Sequence, residues 1–433
     1  MKKLIALLLA AVMLAACMPL AMAEEPVEIK WAFGLGGKLG ELMLSIVDDY
    51  NASQDKVHVT AQQYGSYGAS IQAFQADLSA QIPPDCLLFQ MWYMAQFENY
   101  FAPLNDRYAN DADFNAADIL GGCMECMYGT DGETIYGVPI YATTQVMYYR
   151  KDAFEGYDIE ETFSDWLNLA KAAAEITKKD ENGETVFWGW EPMWGSGNIT
   201  DAVQSAGGKV FTDNTCRKVD WLTDEWVKVV SNLAKWMHED KIMRIHSGGS
   251  GYEYWYNTID DVMEGRAAGY TGSVGDQGDL DFSIIGCHKQ PGYDGYPSSA
   301  NTSALMCVMP NMIDDTHKDA AWDFMKYLSS PSVQGKIATT SGYVVTRQSC
   351  LDDPEYAAYV EENPQVIAAI DAINSAVKYY VDPTGGYVDS ALSDLADRIE
   401  IENYDVIEAL TLAQEEAQAA LDEFWAEYDA NNK

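Results

Sequence analysis

The stretch Gly137–Glu175, GVPIYATTQVMYYRKDAFEGYDIEETFSDWLNLAKAAAE, decides how the chain is read. It runs from an apolar strand start through the small polar run Ala142-Thr143-Thr144 into a strand rich in tyrosine. A capped helix follows. Thr162 and Asp165 stand three apart just before Trp166-Leu167, a capping-box spacing that starts a helix by satisfying its orphan N–H groups. Upstream, Val27–Phe33 reads as a strand, followed by a glycine loop and a helix over Gly40–Asn51. An alternating strand carries Val57, Val59 and Ala61, a helix covers Ala69–Ser79, and Asp85–Gln90 is again a strand. Strands alternating with helices imply an α/β fold with a mainly parallel sheet covered on both faces. The chain is too long for one core and suits two domains. No low-complexity linker separates them, so the chain is expected to cross between them several times.

The N-terminus reads as an export signal. Lys2 and Lys3 precede an apolar run, Leu4 to Ala16, of 13 residues, too short for a lasting membrane span. Two processing sites compete. Leu14-Ala15-Ala16-Cys17 fits lipidation of Cys17 after a signal of residues 1–16; Ala21-Met22-Ala23 before Glu24 fits an ordinary cut after residue 23. The first makes a cell-surface lipoprotein held by an anchor, the second a secreted or periplasmic soluble protein.

The formal charge of −40 excludes nucleic acid as a partner, because little here could replace counterions on phosphate. Aromatic content is high, with 12 Trp and 27 Tyr, and suggests a surface that holds something flat and polar. Cys17 aside, seven cysteines remain, an odd number that argues against a full disulfide framework and for buried or free thiols. Cys123-Met-Glu-Cys126 has no second CxxC to complete a zinc site, and it follows Gly121-Gly122, not a strand. His58, His238, His246, His288 and His317 have no paired metal-ligand spacing. No hydrolase elbow, dinucleotide fingerprint or P-loop is present, so no catalytic residue, metal or cofactor is expected. Sixty-seven carboxylates make any glycosidase couple unspecific.

The order of parts in Gly137–Glu175 resembles the first inter-domain crossover of bacterial extracellular solute-binding proteins, the receptors of ABC importers. Tyr149-Arg150-Lys151-Asp152 keeps three of four residues of that family's Tyr-Asn-Lys-Asp strand end. The resemblance covers nearly the whole mature chain. It includes Gly34–Gly40 with ELMLSIVDDYNAS, Tyr64-Gly-Ser-Tyr67, Pro83-Pro84-Asp85, Asp261–Tyr270, Lys318–Pro331, Thr340-Ser-Gly-Tyr343 and the tail VIEALTLAQEEAQAALDEF. It implies a type II periplasmic-binding-protein fold, two lobes with mixed, mainly parallel sheets flanked by helices and joined by a multi-strand hinge. Lobe one would comprise 24–139 with 286–340, and lobe two 142–283 with 346–433. The crossovers would lie near Ile140, Ser283–Ile285 and Ser341–Val345. It also implies a small-molecule ligand, ABC permease subunits as partners, and action as a monomer.

Ligands of open α/β sheets dock beyond the carboxyl ends of strands. That rule selects Gln90 as an amide for hydroxyls and Trp92 as a flat face, although Trp92 could equally start a helix in the core. Thr143 and Thr144 offer hydroxyls at the crossover, and Trp194, in Gly189-Trp-Glu-Pro-Met-Trp194, an opposing face; core packing and satisfied hinge hydroxyls are the plainer alternatives. The resemblance places ligand-contacting tyrosines at Tyr67 and Tyr343 and small polar groups at Ser273; Ser303 would join them from the strand re-entering lobe one. Its closest motifs are those of glycerol-3-phosphate-binding proteins, which carry arginine in a late loop. Pro383-Thr-Gly-Gly-Tyr387 has none. Without a charge-assisted fork a buried phosphate dianion is underpaired, so the expected ligand is a neutral mono- or oligosaccharide, with Tyr387 as a further stacking group. A glycerol-phosphate or polyol receptor and a sugar sensor without transport remain the alternatives.

Overall fold

Strand and helix alternate from the first described residues, as their patterns require. The structure, a computed structural model, describes residues 25–248 and 252–431; the signal segment and Cys17 lie outside them. β1 (Val27–Phe33), α1 (Gly37–Ser53), β2 (Val57–Gln63), α2 (Tyr67–Ala80) and β3 (Cys86–Gln90) come first. β1 lies between β2 and β3, parallel to both. α2 begins earlier than its apolar pattern suggests because Ser66 caps it, accepting from Ala69 N at 3.2 Å. Tyr67, expected in a loop, is therefore the first residue of a helix.

Next come α3 (Gly121–Cys126), β4 (Gly137–Arg150), α4 (Trp166–Ile176), the small hairpin of β5 (Lys178–Lys179) and β6 (Thr185–Phe187), α5 (Ser196–Ser205), α6 (Glu253–Met263) and β7 (Gly269–Ser273). After these follow β8 (Ile285–Lys289), β9 (Asn301–Val308), α7 (Asp315–Leu328), α8 (Pro331–Ser341), α9 (Gln365–Ser375), β10 (Val377–Lys378), α10 (Tyr387–Glu400) and α11 (Val406–Asn431). The main sheet runs β2-β1-β3-β9-β4-β7, with β10 on β9 and β8 on β4. β9 returns from a long excursion and enters antiparallel to β3 and β4. Among the ten strands, parallel pairing is thus that of β1 with β2 and β3 and of β9 with β10; four isolated parallel bridges lie outside them.

β4 organises the molecule. Its first part, Gly137 to Thr144, pairs with β9, whereas Gln145 to Arg150 pairs with β7 and β8. Partners change between Thr144 and Gln145. Large aromatic side chains fill one core around Trp31, Phe33, Phe89 and Phe324, and a second around Trp166, Trp190, Trp221 and Trp226. The first continues under β4 to Tyr148 and Tyr270. Residues after Val344 stay with the first core: Arg347 donates to Ser329 Oγ and to the Asn115 carbonyl, and Ser349 N donates to Asp118. α10 and α11 close the second core with Leu392, Leu395, Leu410 and Leu421.

Two local expectations change. Asp165 itself is the cap of α4, accepting from Leu167 N at 2.8 Å, whereas Thr162 ends a preceding short turn capped by Asp158. The short acceptor reaches the helix's own second N–H, so no three-residue reciprocal pair is needed. Cys123 and Cys126 are buried on α3, and burial pushes the Cys126 thiol up to about 12, far from the thiolate that redox or metal chemistry requires. All seven described cysteines are free. Among the described residues no helix is long and apolar enough to cross a membrane.

Candidate functional site

Strand register sets out the first part of the site. Directly paired residues on neighbouring strands point to the same face. Leu305 pairs with both Gln90 and Tyr141, Ser303 pairs with Thr143, and Ser273 pairs with Gln145. Gln90, Tyr141, Thr143, Gln145, Ser273 and Ser303 therefore share one face, a polar band across four strands at the place where β4 changes partners. Gln90 is fully buried, and neither atom of its amide has a hydrogen-bond partner among the described residues.

Three tyrosines stand beside this band. Tyr67 and Tyr141 hydroxyls lie 2.7 Å apart, and the Tyr141 ring stacks on Tyr343 with centroids 4.9 Å apart and planes at 11°. Tyr343 reaches this position because Gly342 closes α8 in the left-handed region, φ 76°, which a side chain would resist. Val344 then pairs with Ala142 through two backbone bonds of 2.9 Å. Burial raises all three phenols above their ordinary range, so each keeps its proton and can donate.

A second wall comes from the far half. Ser273 caps the turn Val274–Asp279 in a capping box with Asp276. The Asp276 carboxylate also accepts from Trp255 Nε1 at 3.0 Å and from the Tyr270 hydroxyl at 3.1 Å. Tyr254 meets Trp194 edge to face at 4.9 Å. Trp194 donates to Asp397 at 2.7 Å, and Gly195 N donates to Glu400 at 3.1 Å. The two walls touch where Gln277 Nε2 donates to the Gly342 carbonyl at 3.3 Å.

Other selected residues stand apart or are used internally. Thr144 is buried and gives its hydroxyl to the Asn301 carbonyl at 2.7 Å. Trp92 sits in the turn Met91–Tyr93 with 41% of its surface exposed, so it is not core. Tyr387 is 69% exposed at the first position of α10. The loop before it is organised by Asp382, whose carboxylate accepts from the N–H groups of Thr384, Gly386, Val388 and Asp389.

The sequence profile of the family described as bacterial extracellular solute-binding protein matches residues 45–365. The chain belongs to that family. It is 24% identical over 360 residues to the sn-glycerol-3-phosphate-binding periplasmic protein UgpB of Brucella abortus, covering 79% of this chain and 80% of that protein. The fold is shared with the sugar-binding protein MalE of Xanthomonas citri, with a TM-score of 0.79 at 16% identity over 93% of this chain and 99% of that one. It is shared also with UgpB of Mycobacterium tuberculosis in complex with glycerophosphocholine, with a TM-score of 0.69 at 18% identity over 92% and 98% of the two chains. Membership makes the chain a binding protein of a transport system and not an enzyme.

In this solute-binding protein several of the buried polar atoms without partners lie near the two walls. Near them, besides Gln90, the buried amide oxygens Gln145 Oε1, Asn198 Oδ1, Gln277 Oε1 and Gln290 Oε1 and the Glu400 Oε1 carboxyl atom have no hydrogen-bond partner among the described residues. The amide nitrogens of Asn198, Gln277 and Gln290 donate to carbonyl or carboxylate oxygens, which fixes their oxygens as the free ends. Their segments converge on the middle of β4. Gln290 donates to the Gln145 carbonyl at 3.4 Å, and the Cα of Gly197 faces the Gln145 amide. Among the described residues no lysine or arginine is bonded or ion-paired to the residues of either wall. Tyr141 and Gln145 went unselected although period-two alternation from Thr143 reaches both. Tyr254 and Glu400 lie on amphipathic helices and carry no comparable sequence signal.

Proposed function

We propose that this chain is the extracytoplasmic receptor of an ABC importer and holds a neutral mono- or oligosaccharide between the two walls. One observation carries the choice of ligand: the site offers several open acceptors, and among the described residues no lysine or arginine is bonded or ion-paired to its walls. Sugar hydroxyls donate to such acceptors and their ring faces lie on tyrosine and tryptophan. A phosphate dianion would bring acceptors alone and leave its charge unpaired. The late loop strengthens the contrast, because Asp382 already occupies its backbone donors. The names of the Brucella and Mycobacterium relatives favour a second reading, a glycerol-phosphate-type ligand.

We place the lobe division at the change of β4 partners, Thr144 to Gln145. Lobe one then holds 25–144 and 301–376, and lobe two 145–300 and 380–431, so the segment after Val345 joins lobe one. Closure about this division would bring Tyr67, Tyr141 and Tyr343 towards Trp194 and Tyr254. A ligand touching both favours the closed form by its differential affinity, and the closed face would meet the permease subunits. Lipid on Cys17 would keep a monomeric receptor beside them.

Calorimetry on the mature chain with a panel of mono- and oligosaccharides, and with sn-glycerol 3-phosphate, tests the ligand. Saturable sugar binding with no heat from the phosphate is expected. Tight phosphate binding without any sugar response would overturn the reading.

A further inference from the structure

Glu191, His246 and Asp261 come together beneath the Trp194 loop, outside the polar band. Glu191 is fully buried beside β7, its N–H donating to the Gly269 carbonyl at 2.9 Å. Its Oε1 accepts from Arg244 Nε at 2.6 Å, but its Oε2 has no hydrogen-bond partner among the described residues and lies 4.0 Å from His246 Nε2. Asp261, buried on α6, accepts from Arg266 through Oδ1 and from His246 Nε2 through Oδ2 at 2.7 Å. The three atoms Glu191 Oε2, His246 Nε2 and Asp261 Oδ2 all lie within 4.8 Å of one another. A buried carboxyl oxygen left without a partner is costly to the fold, so the gap calls for an occupant.

We propose that these three side chains bind one divalent transition-metal ion. One imidazole nitrogen with two carboxylate oxygens is a donor set suited to zinc, cobalt or nickel, whereas calcium and magnesium take oxygen alone. Metal–ligand bonds of about 2.0–2.2 Å put tetrahedral neighbours roughly 3.4 Å apart, so the 4.0 Å between Glu191 Oε2 and His246 Nε2 must close and the 2.7 Å between His246 Nε2 and Asp261 Oδ2 must open, each by less than about an ångström. The guanidinium groups supply outer support. Arg244 holds the far oxygen of Glu191 and Arg266 the far oxygen of Asp261, leaving the near oxygens towards His246. Two contacts must yield, that of Arg244 Nη2 with Asp261 Oδ2 and the hydrogen bond of His246 Nε2 to the same oxygen, the ring proton then sitting on Nδ1 so that Nε2 can ligate. Arg244 keeps its other bond and its place over the Trp188 ring, 5.2 Å from the centroid. Arg244 and His246 are partly exposed and give the ion a way in. The positions 191, 246 and 261 are too far apart in sequence for any spacing rule to join them. Glu191 stands three residues before Trp194, so the ion would brace one wall of the site.

The test uses the mature chain stripped with EDTA and titrated with zinc and with cobalt chloride by calorimetry and thermal shift. One ion per chain is expected, with a raised melting temperature and a cobalt spectrum lacking the near-ultraviolet thiolate band. His246→Ala and the isosteric Glu191→Gln should each weaken binding by more than about tenfold. His317→Ala, which removes a different histidine–carboxylate pair, should leave it unchanged. No saturable binding, a thiolate band, or undiminished affinity in both variants of the cluster would each overturn the proposal. None of these readouts depends on which solute the receptor carries.

Discussion

The two ends of α5 are furnished in opposite ways. At its C-terminal half every polar side chain is engaged with the crossover before β9. Asp201 accepts from Gln290 Nε2 and from both nitrogens of Asn301, Gln204 donates to Asn301 Oδ1, and Ser205 accepts from Ser299 N. At its N-terminus Asn198 Oδ1 and the facing Glu400 Oε1 are buried, and neither has a hydrogen-bond partner among the described residues; Gly195 N donates to the other Glu400 oxygen. The same helix is stitched to the fold at one end and left with open polar groups at the other. A group bonded to the protein on all sides holds the chain together; a buried acceptor left open is held in readiness for a molecule that donates.

The largest effect should come from breaking the stitched end. Asp201→Ala removes one acceptor and strands three donors, and should lower unfolding free energy by about 3 kcal/mol in a denaturant titration. A loss under about 1 kcal/mol would erase the contrast between the ends. Glu400→Gln should act in the other direction and only at high pH. Burial raises the Glu400 carboxyl from 4.5 to about 8. Between those values the folded chain keeps a proton the unfolded chain has lost, so stability present below the lower value drains away as pH rises. Glutamine has no proton to lose. The variant should therefore match the parent at pH 5 and exceed it by on the order of 2 kcal/mol at pH 8. Equal melting temperatures at both pH values would place Glu400 in water, not in the wall.

Much of this was legible in the sequence. β1 follows its residues to both ends, and the hydroxyl run before the tyrosines marks the place where β4 changes partners. Four of the selected residues, Gln90, Thr143, Ser273 and Ser303, fall on one face because strand periodicity is local and strict. The mainly parallel sheet was only partly legible, since the direction of β9 depends on a connection of long range. The metal candidates and Glu400 escaped because tertiary packing of helices joins them, and no spacing encodes that.

Tyr141→Phe probes the near wall with a smaller change. It deletes the hydroxyl bonded to Tyr67 but keeps the ring stacked on Tyr343. A loss of about 1 kcal/mol in stability is expected. Sugar affinity should fall further than stability, because Tyr67 loses the partner that aims its hydroxyl. Unchanged affinity by calorimetry would separate the tyrosine trio from the ligand.

The smallest effect belongs to Tyr387, at the opposite end of α10 from Glu400. Its ring is largely in water, and its N–H is already taken by Thr384 Oγ1 at 3.1 Å. Truncation removes little buried area, so Tyr387→Ala should change stability by less than about 0.5 kcal/mol. Among the described residues no ring contact or hydrogen bond of its side chain joins it to either wall, and sugar affinity should move by less than about twofold. One helix thus carries a buried carboxyl whose replacement is felt strongly and an exposed ring whose loss is scarcely felt. A tenfold loss of affinity on removing Tyr387 would mean that lobe closure carries this end of α10 onto the solute, and would extend the site beyond the two walls.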